Sequence, residues 1–283
     1  MVSQLVKDWL EKNGHGDLVN IQSVGGGCIN HGARLETASG ETFFLKTNTH
    51  SPPDMFQREV EGLTALKQPG GPRVPQPYLY GSDFLLIEDL SPASPGADYW
   101  IIFGRRLAVL HKVISDQFGF PHDNYIGSTP QPNSFTEDGF IFFGQKRLLF
   151  QARLARERGL LSPGEVQAVN RLVGRLPNLI PKQPASLIHG DLWSGNAISD
   201  ENGSPAIIDP AAHYGWAEAE LAMTNLFGAF PDSFYKAYEE ERPLDKGYRK
   251  RFPIYNLYHL LNHLNLFGRG YYGQIISILN RFA

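Results

Sequence analysis

His189-Gly190-Asp191-Leu192-Trp193-Ser194-Gly195-Asn196 is the stretch on which the reading of this chain turns. It pairs an acid, Asp191, with an amide, Asn196, five residues on. A second acid, Asp209, follows thirteen residues later, directly after the apolar run Ala206-Ile207-Ile208. Phosphoryl transfer requires a carboxylate beside the attacking hydroxyl, to orient it and take its proton. It also requires oxygen ligands for Mg²⁺, a hard cation. Asp191 supplies the first group, and Asn196 with Asp209 the second, in that chain order. The competing reading of such a stretch is a polar turn that caps a helix.

The order of the parts upstream favours the chemical reading. Gly25-Gly26-Gly27 lies between two extended segments, Ile21 to Val24 and Ala33 to Glu36. Glycines let backbone N–H groups approach a phosphate closely. Lys46 ends a strand-like run, Glu41 to Lys46, where an ammonium can neutralise the α and β phosphates. Helical spacing over Met55 to Lys67 then presents Glu59, which can pair with that lysine; the charged run Arg58, Glu59, Glu61 leaves Glu61 as the alternative. Phe84 to Leu90 closes the β-rich part, and the backbone of a linker between lobes can offer C=O and N–H groups to adenine. Protein kinases present these groups in this order.

Working outward, Ser3 to Asn13 reads as an amphipathic helix and Tyr78 to Tyr80 and Phe84 to Ile87 as strands. Beyond Pro95 the period becomes helical: Trp100 to Ile114, Phe140 to Arg158, Pro163 to Leu176, and most of Glu218 to Phe282. Short strands at Ser186 to Ile188 and Ala206 to Ile208 lead into the two acidic positions. The pattern predicts an α+β fold of two lobes joined near Glu88 to Ser91. Residues 1–90 form a nucleotide-binding lobe of sheet plus helix, and residues 91–283 a mainly helical catalytic and acceptor-binding lobe.

Bulk properties exclude several classes. The 283 residues are 42% hydrophobic and 19% charged, an ordinary globular balance without a low-complexity tract. A net charge of −3 gives no basic field for nucleic acid and no attraction to anionic lipid. No stretch has the uncharged apolar length of a membrane span, and Met1 to Asp8 lacks the basic-then-apolar order of a signal peptide. A single cysteine, Cys28, rules out an internal disulfide and suits a reducing, cytoplasmic setting.

The chain resembles the kinase-like fold of aminoglycoside and choline phosphotransferases, and is more closely similar to the fructosamine kinase / ketosamine-3-kinase family. The residues that carry the closer likeness are Gly25 to Asn30, Met55-Phe56 with Glu59, Phe118-Gly119-Phe120, and Asn124 to Gln131. His189 to Asn196, Ile208-Asp209-Pro210-Ala211 with Tyr214-Gly215, and Leu257 to His263 complete it. The resemblance covers nearly the whole chain. It implies an ATP-dependent kinase that phosphorylates the third-carbon hydroxyl of ketosamines, the adducts that sugars form on small amines or proteins. The phosphorylated product is unstable and falls off, so the family is regarded as deglycating.

By position, the likeness makes Asp191 the catalytic base and Asn196 and Asp209 the Mg²⁺ ligands. Gly25, Gly26, Gly27, Cys28, Lys46, Glu59, Glu88 and Leu90 become the ATP site, and Trp193 lies beside the sugar, where an indole face packs on a C–H face. Asp116, His122, Asp123 and Asn124 are further candidates to face the acceptor. His111, at a helix end, reads as structural. Two positions depart from the family pattern: Trp216, where many members have a smaller or polar residue, and Glu220, where Asp is expected. Neither is assigned to catalysis. The likeness also includes a cysteine at Cys28 associated with redox-sensitive dimers, which implies a monomer that forms a Cys28-linked homodimer on oxidation. Two other functions compete: a phosphotransferase for an aminoglycoside or choline-like acceptor, and a nucleotide-binding pseudokinase scaffold. Glu239-Glu240-Glu241 reads as a solvated helix rather than a polycation pocket, and a scaffold has no chemical need for Lys46, Asp191, Asn196 and Asp209 together.

Overall fold

The structure is a computed structural model that describes residues 2–25 and 30–283. Gly26, Gly27 and Cys28 lie outside the described residues. The chain opens with helix α1 (Gln4–Lys12), which buries Val6 and Leu10. Strands β1 (Leu18–Val24), β2 (His31–Thr37) and β3 (Thr42–Thr47) follow, then helix α2 (Met55–Leu66), β4 (Pro77–Tyr80) and β5 (Phe84–Glu88). The five strands form one antiparallel sheet in the order β1-β2-β3-β5-β4. Alternation decides which face each side chain covers. Phe84 and Leu86 of β5 join Leu35, Phe43 and Leu45 under α1. Leu85 and Ile87 turn to the other face and join Phe56, Leu63 and Leu66 of α2 in the main core. A strand covered on both faces reads as a continuous apolar run, which is why Phe84 to Ile87 was legible. The edge strand β1 is exposed along most of its length and starts at Leu18, ahead of the Ile21 expected from the sequence.

The rest is mainly helical. It comprises α3 (Tyr99–Leu110), α4 (Gly139–Ile141), a π-helical stretch Phe142–Leu149, α5 (Phe150–Glu157), α6 (Pro163–Leu179), α7 (Ala217–Leu226), α8 (Asp232–Glu241), α9 (Tyr248–Phe267) and α10 (Tyr272–Phe282). A sheet-rich N-terminal part and a helical C-terminal part make the fold α+β, as expected. Among the described residues no helix is long and apolar enough to cross a membrane. Between α3 and α4 lie β6 (Ile114–Ser115), β7 (Asn124–Ile126) and β8 (Thr129–Gln131); between α6 and α7 lie β9 (Ala185–Ile188), β10 (Ala197–Ser199), β11 (Pro205–Ile207) and β12 (His213–Gly215).

Two helical expectations are corrected. The helix expected over Trp100 to Ile114 stops at Leu110, and Ile114 pairs with Ser186 of β9 instead. Strand pairing there satisfies backbone groups that a further helical turn would have left facing the sheet edge. The single helix expected over Phe140 to Arg158 carries the π-helical stretch, which feeds Arg147 inward. Arg147 is 1% exposed, donates to Pro132 O and Asn133 Oδ1 at 2.7 Å each, and lies 4.4 Å over the Phe142 ring. An α-helical period cannot predict that a cation is the inward residue. π stretches of this kind gather near functional sites.

Candidate active site

Hairpin geometry brings Asn196 and Asp209 together. β10 pairs with β11, Ala197 opposite Ile207, so the residues flanking the pair meet at its open end. The Ile208 N–H donates to Asn196 O at 3.1 Å. At the closed end Asp200 accepts from the N–H groups of Asn202 and Ser204, at 2.9 Å each. Asn196 donates through Nδ2 to Asp191 O at 2.8 Å, and lies 3.5 Å from Asp191 Oδ2. An amide whose nitrogen is committed in this way keeps its oxygen as the group it can give a cation. Asp209 has φ +57, an uncommon conformation for a side chain larger than hydrogen.

The loop of His189 to Asn196 is held from below by Glu220. Its Oε2 accepts from the His189 N–H at 2.8 Å and its Oε1 from the Gly190 N–H at 2.7 Å. His111 Nε2 lies 2.9 Å from Oε2, and His111 Nδ1 2.7 Å from the Tyr238 hydroxyl. Gly190 has φ +85, and a Cβ there would stand 2.2 Å from Ala211 O, so only glycine fits the turn. Asp191 N donates to His189 Nδ1 at 3.3 Å, which leaves His189 Nε2–H for Ile208 O at 2.8 Å. Glu220 is thus the floor of the loop. His111 is structural, as expected. Trp216 is also structural: it is 3% exposed among Phe118, Phe140, Phe143 and Tyr255.

Helix α2 carries Glu59 to the same place. Its Gly62 packs on the turn after Asp209; a Cβ there would lie 3.3 Å from Pro210 and 3.4 Å from Ala212. One turn earlier, Glu59 pairs with Lys46, and Lys46 also pairs with Asp209. Glu61 faces elsewhere, toward Arg58 at 2.7 Å and His122 at 3.1 Å. The choice left open by the sequence falls on Glu59. Burial disfavours charge on Lys46, but Asp209 and Glu59 outweigh it and hold its pKa above the usual value. Burial, with repulsion from Asp209, raises the Glu59 pKa above its usual value, against the pull of Lys46.

These groups line one cleft of about 650 Å³ between the sheet and the helical part. Gly25, Lys46, Glu59, Glu88, Leu90, Asn124, Asp191, Trp193, Asn196 and Asp209 all reach it. Val24, Ile87, Leu90, Ile198 and Ile208 give it apolar walls. The Glu88 N–H is taken by Gln76 O at 2.8 Å, and its side chain by Arg73 at 2.5 Å. Trp193 packs on Gly195, where a Cβ would meet the indole at 2.3 Å. The cleft also contains residues that sequence reasoning passed over. Arg34 of β2 pairs with Asp89 at 2.5 Å and bonds Ser91 at 2.7 Å, closing the hairpin onto the linker. An isolated arginine on a strand offers no periodic signal.

Asp116, His122 and Asp123, expected to face the acceptor, are not among the residues lining this cleft. Asp116 is exposed on the surface. His122 is paired with Glu61, and Asp123 accepts from the Asn133 N–H at 2.6 Å. Short acids and histidines in a loop serve turns as readily as ligands. Asn124 reaches the cleft but is tied down: Nδ2 donates to Ala212 O at 2.9 Å, and Oδ1 accepts from Gln131 and Asn133 at 2.7 and 2.8 Å. It braces the turn that follows Asp209.

Electrostatics separate two carboxylates at this loop. Burial, with repulsion from Asp209 and Glu220, pushes Asp191 up to about 7, against the Asn196 hydrogen bond. Burial also pushes Glu220 upward, yet His111 and the His189 N–H hold it below the usual range. Burial, with His263 and Arg147 nearby, lowers His259 to about 3, so its ring is neutral. Among the described residues no cluster of three or more His, Cys, Asp or Glu could hold a metal by itself. Asp209 with the Asn196 amide oxygen is a two-oxygen donor set. Mg²⁺ fits such a set, because it takes one or two protein oxygens and completes its shell with phosphate and water.

The fructosamine kinase family profile matches residues 1–283. "Probable ketoamine kinase" of Synechocystis sp. is 42% identical over 266 residues, covering 92% of this chain and 89% of its own. "Protein-ribulosamine 3-kinase, chloroplastic" of Arabidopsis thaliana is 38% identical over 289 residues, covering 98% of this chain and 87% of its own. The crystal structure of a "putative fructosamine-3-kinase" from Thermobifida fusca superposes with a TM-score of 0.89 at 33% identity, over 99% of this chain and 98% of that one. The chain belongs to the fructosamine kinase family.

Proposed function

We propose that this protein is an ATP-dependent kinase that phosphorylates the 3-hydroxyl of ketosamines, on small amines or on glycated proteins. The observation that carries the reading is the convergence of Lys46, Glu59, Asp191, Asn196 and Asp209 on one cleft in a chain of this family. The apolar walls suit a purine, with the carbonyl of Glu88 and the N–H of Leu90 at its edge. Gly25, Gly26, Gly27 and Cys28 cover the phosphates, and Lys46, fixed by Glu59, meets their charge. Asn196 and Asp209 hold Mg²⁺, which supplies charge neutralisation for the transferring group when bound. Asp191 accepts the proton of the acceptor hydroxyl as that oxygen bonds to phosphorus and ADP leaves. Its raised pKa makes it a base suited to neutral pH. Trp193 offers an indole face to the sugar, and Asn124 borders the same side.

The division between a nucleotide lobe, 1–90, and a catalytic lobe, 91–283, belongs to this reading. So do a cytoplasmic setting, a monomer without nucleic-acid or membrane partners, and a Cys28-linked dimer under oxidation. Support for the setting is limited to the single cysteine and the net charge of −3. ATP consumption against a panel of ketosamines, aminoglycosides and choline tests the central claim. Turnover with fructosamine or ribulosamine alone is the expected result; turnover with choline or an aminoglycoside alone would overturn it.

A further inference from the structure

One buried nitrogen that no role above uses lies next to the base. His259 of α9 is 5% exposed, and its Nδ1 has no hydrogen-bond partner among the described residues. That atom lies 3.9 Å from Asp191 Oδ1. A buried polar group left unpaired costs about 1–3 kcal/mol, so a fold retains one where it gains a partner in another state. The separation is about 1 Å beyond a hydrogen bond. Catalytic hydrogen bonds are often long before substrate binds and tighten in the reactive complex.

The surroundings make such a contact selective. The two Asp191 oxygens are flanked differently, Oδ1 by His259 and Oδ2 by Asn196 Nδ2 at 3.5 Å. The helix is anchored beside the ring, since the Tyr258 hydroxyl donates to Gln131 Oε1 at 2.6 Å. A cavity of about 20 Å³, lined in part by His259, Gly190, His213 and Arg147, borders the imidazole. It is large enough for about one water.

We infer that His259 is a positioning residue for Asp191: its Nδ1–H closes onto Oδ1 when nucleotide and acceptor bind, and leaves Oδ2 to face the acceptor hydroxyl. His259 keeps its proton throughout, and the acceptor's proton goes to Asp191. This rests on the kinase reading above. A contact made to the base alone acts on kcat and leaves substrate affinities in place.

The test compares wild type, His259→Leu and His259→Asn in ketosamine phosphorylation, in acceptor-independent ATP hydrolysis, and in thermal unfolding. Asn places an amide nitrogen where Nδ1 stood. His259→Leu is expected to lower kcat about 10- to 100-fold in both reactions, as misplaced catalytic groups do, with KM for ATP and ketosamine within about 3-fold. His259→Asn is expected to stay within about 3-fold of wild-type kcat. The inference is overturned if His259→Leu turns over like wild type, or if His259→Asn falls as far as His259→Leu, which a packing role would produce. If His259→Leu does not fold, His259→Gln replaces it, because Gln puts its nitrogen at the Nε2 position; equal rates for the Asn and Gln variants then overturn the inference. A wild type idle on every ketosamine counts against the proposed function, and the hydrolysis comparison still decides His259.

Discussion

Asp191 and Glu220 are both carboxylates at the loop of His189 to Asn196, Glu220 buried and Asp191 partly so, and they are tuned in opposite directions. Asp191 sits on the cleft side with one amide near Oδ2 and the charges of Asp209 and Glu220 around it, and its pKa rises to about 7. Glu220 sits beneath, receives two backbone N–H groups and the His111 ring, and its pKa falls. Burial pushes both upward, so burial does not decide the outcome; the number of donors aimed at the anion does. Asp191 is left short of donors, and Glu220, which holds the loop, is saturated.

The largest effect that would break this comparison is on turnover. Asp191→Asn is expected to reduce kcat by about 10³-fold or more, the scale of a lost general base, with nucleotide affinity retained in a calorimetric titration. Substantial residual kcat would remove Asp191 from the role of base. Next in size, Asp209→Ala is expected to weaken Mg²⁺-dependent nucleotide binding by about 100-fold while Mg²⁺-free binding changes little. Equal loss with and without Mg²⁺ would assign Asp209 to Lys46 alone.

Other effects fall on stability. Glu220→Ala leaves two N–H groups and a histidine unpaired in the interior, at a cost of about 3–5 kcal/mol. Denaturant unfolding at pH 7 measures it. A loss under about 1 kcal/mol would mean that the loop does not depend on its floor. The smallest effect is the most diagnostic, because its sign reverses between the two acids. A raised carboxylate pKa contributes stability that is fully present below the unfolded value, near 4, and is lost as pH rises through about 7. Asp191→Asn should therefore be more stable than wild type at pH 8, by about 2 kcal/mol for a side chain one-fifth exposed, and equal to it in acid. A lowered pKa works the other way: its stability is present above the unfolded value and is lost as pH falls through the folded one. Glu220→Gln should be less stable than wild type at pH 8, and the gap should close in acid. Parallel pH dependence for the two variants would refute the contrast.

The sheet and the cleft were differently legible. Phe84 to Ile87 could be read because a strand buried on both faces is apolar throughout. Asp191, Asn196 and Asp209 could be grouped because a short hairpin closes the distance between positions that are near in sequence. Asp116, His122 and Asp123 have suitable chemistry, but they serve a surface and a turn away from the cleft. Arg34 and Asp89 meet across the sheet, a pairing with no local signature.

By itself, then, the sequence determined the α+β class, the order of the chemical groups along the chain, and the family likeness, because propensity, periodicity and motif spacing are local properties. Tertiary structure alone decided that Glu59 rather than Glu61 meets Lys46, that Glu220 is the loop's floor, and that His259 stands 3.9 Å from Asp191. Each of those depends on which atoms packing brings within reach across long chain separations. The resulting balance of desolvation and donors fixes the charge each group carries.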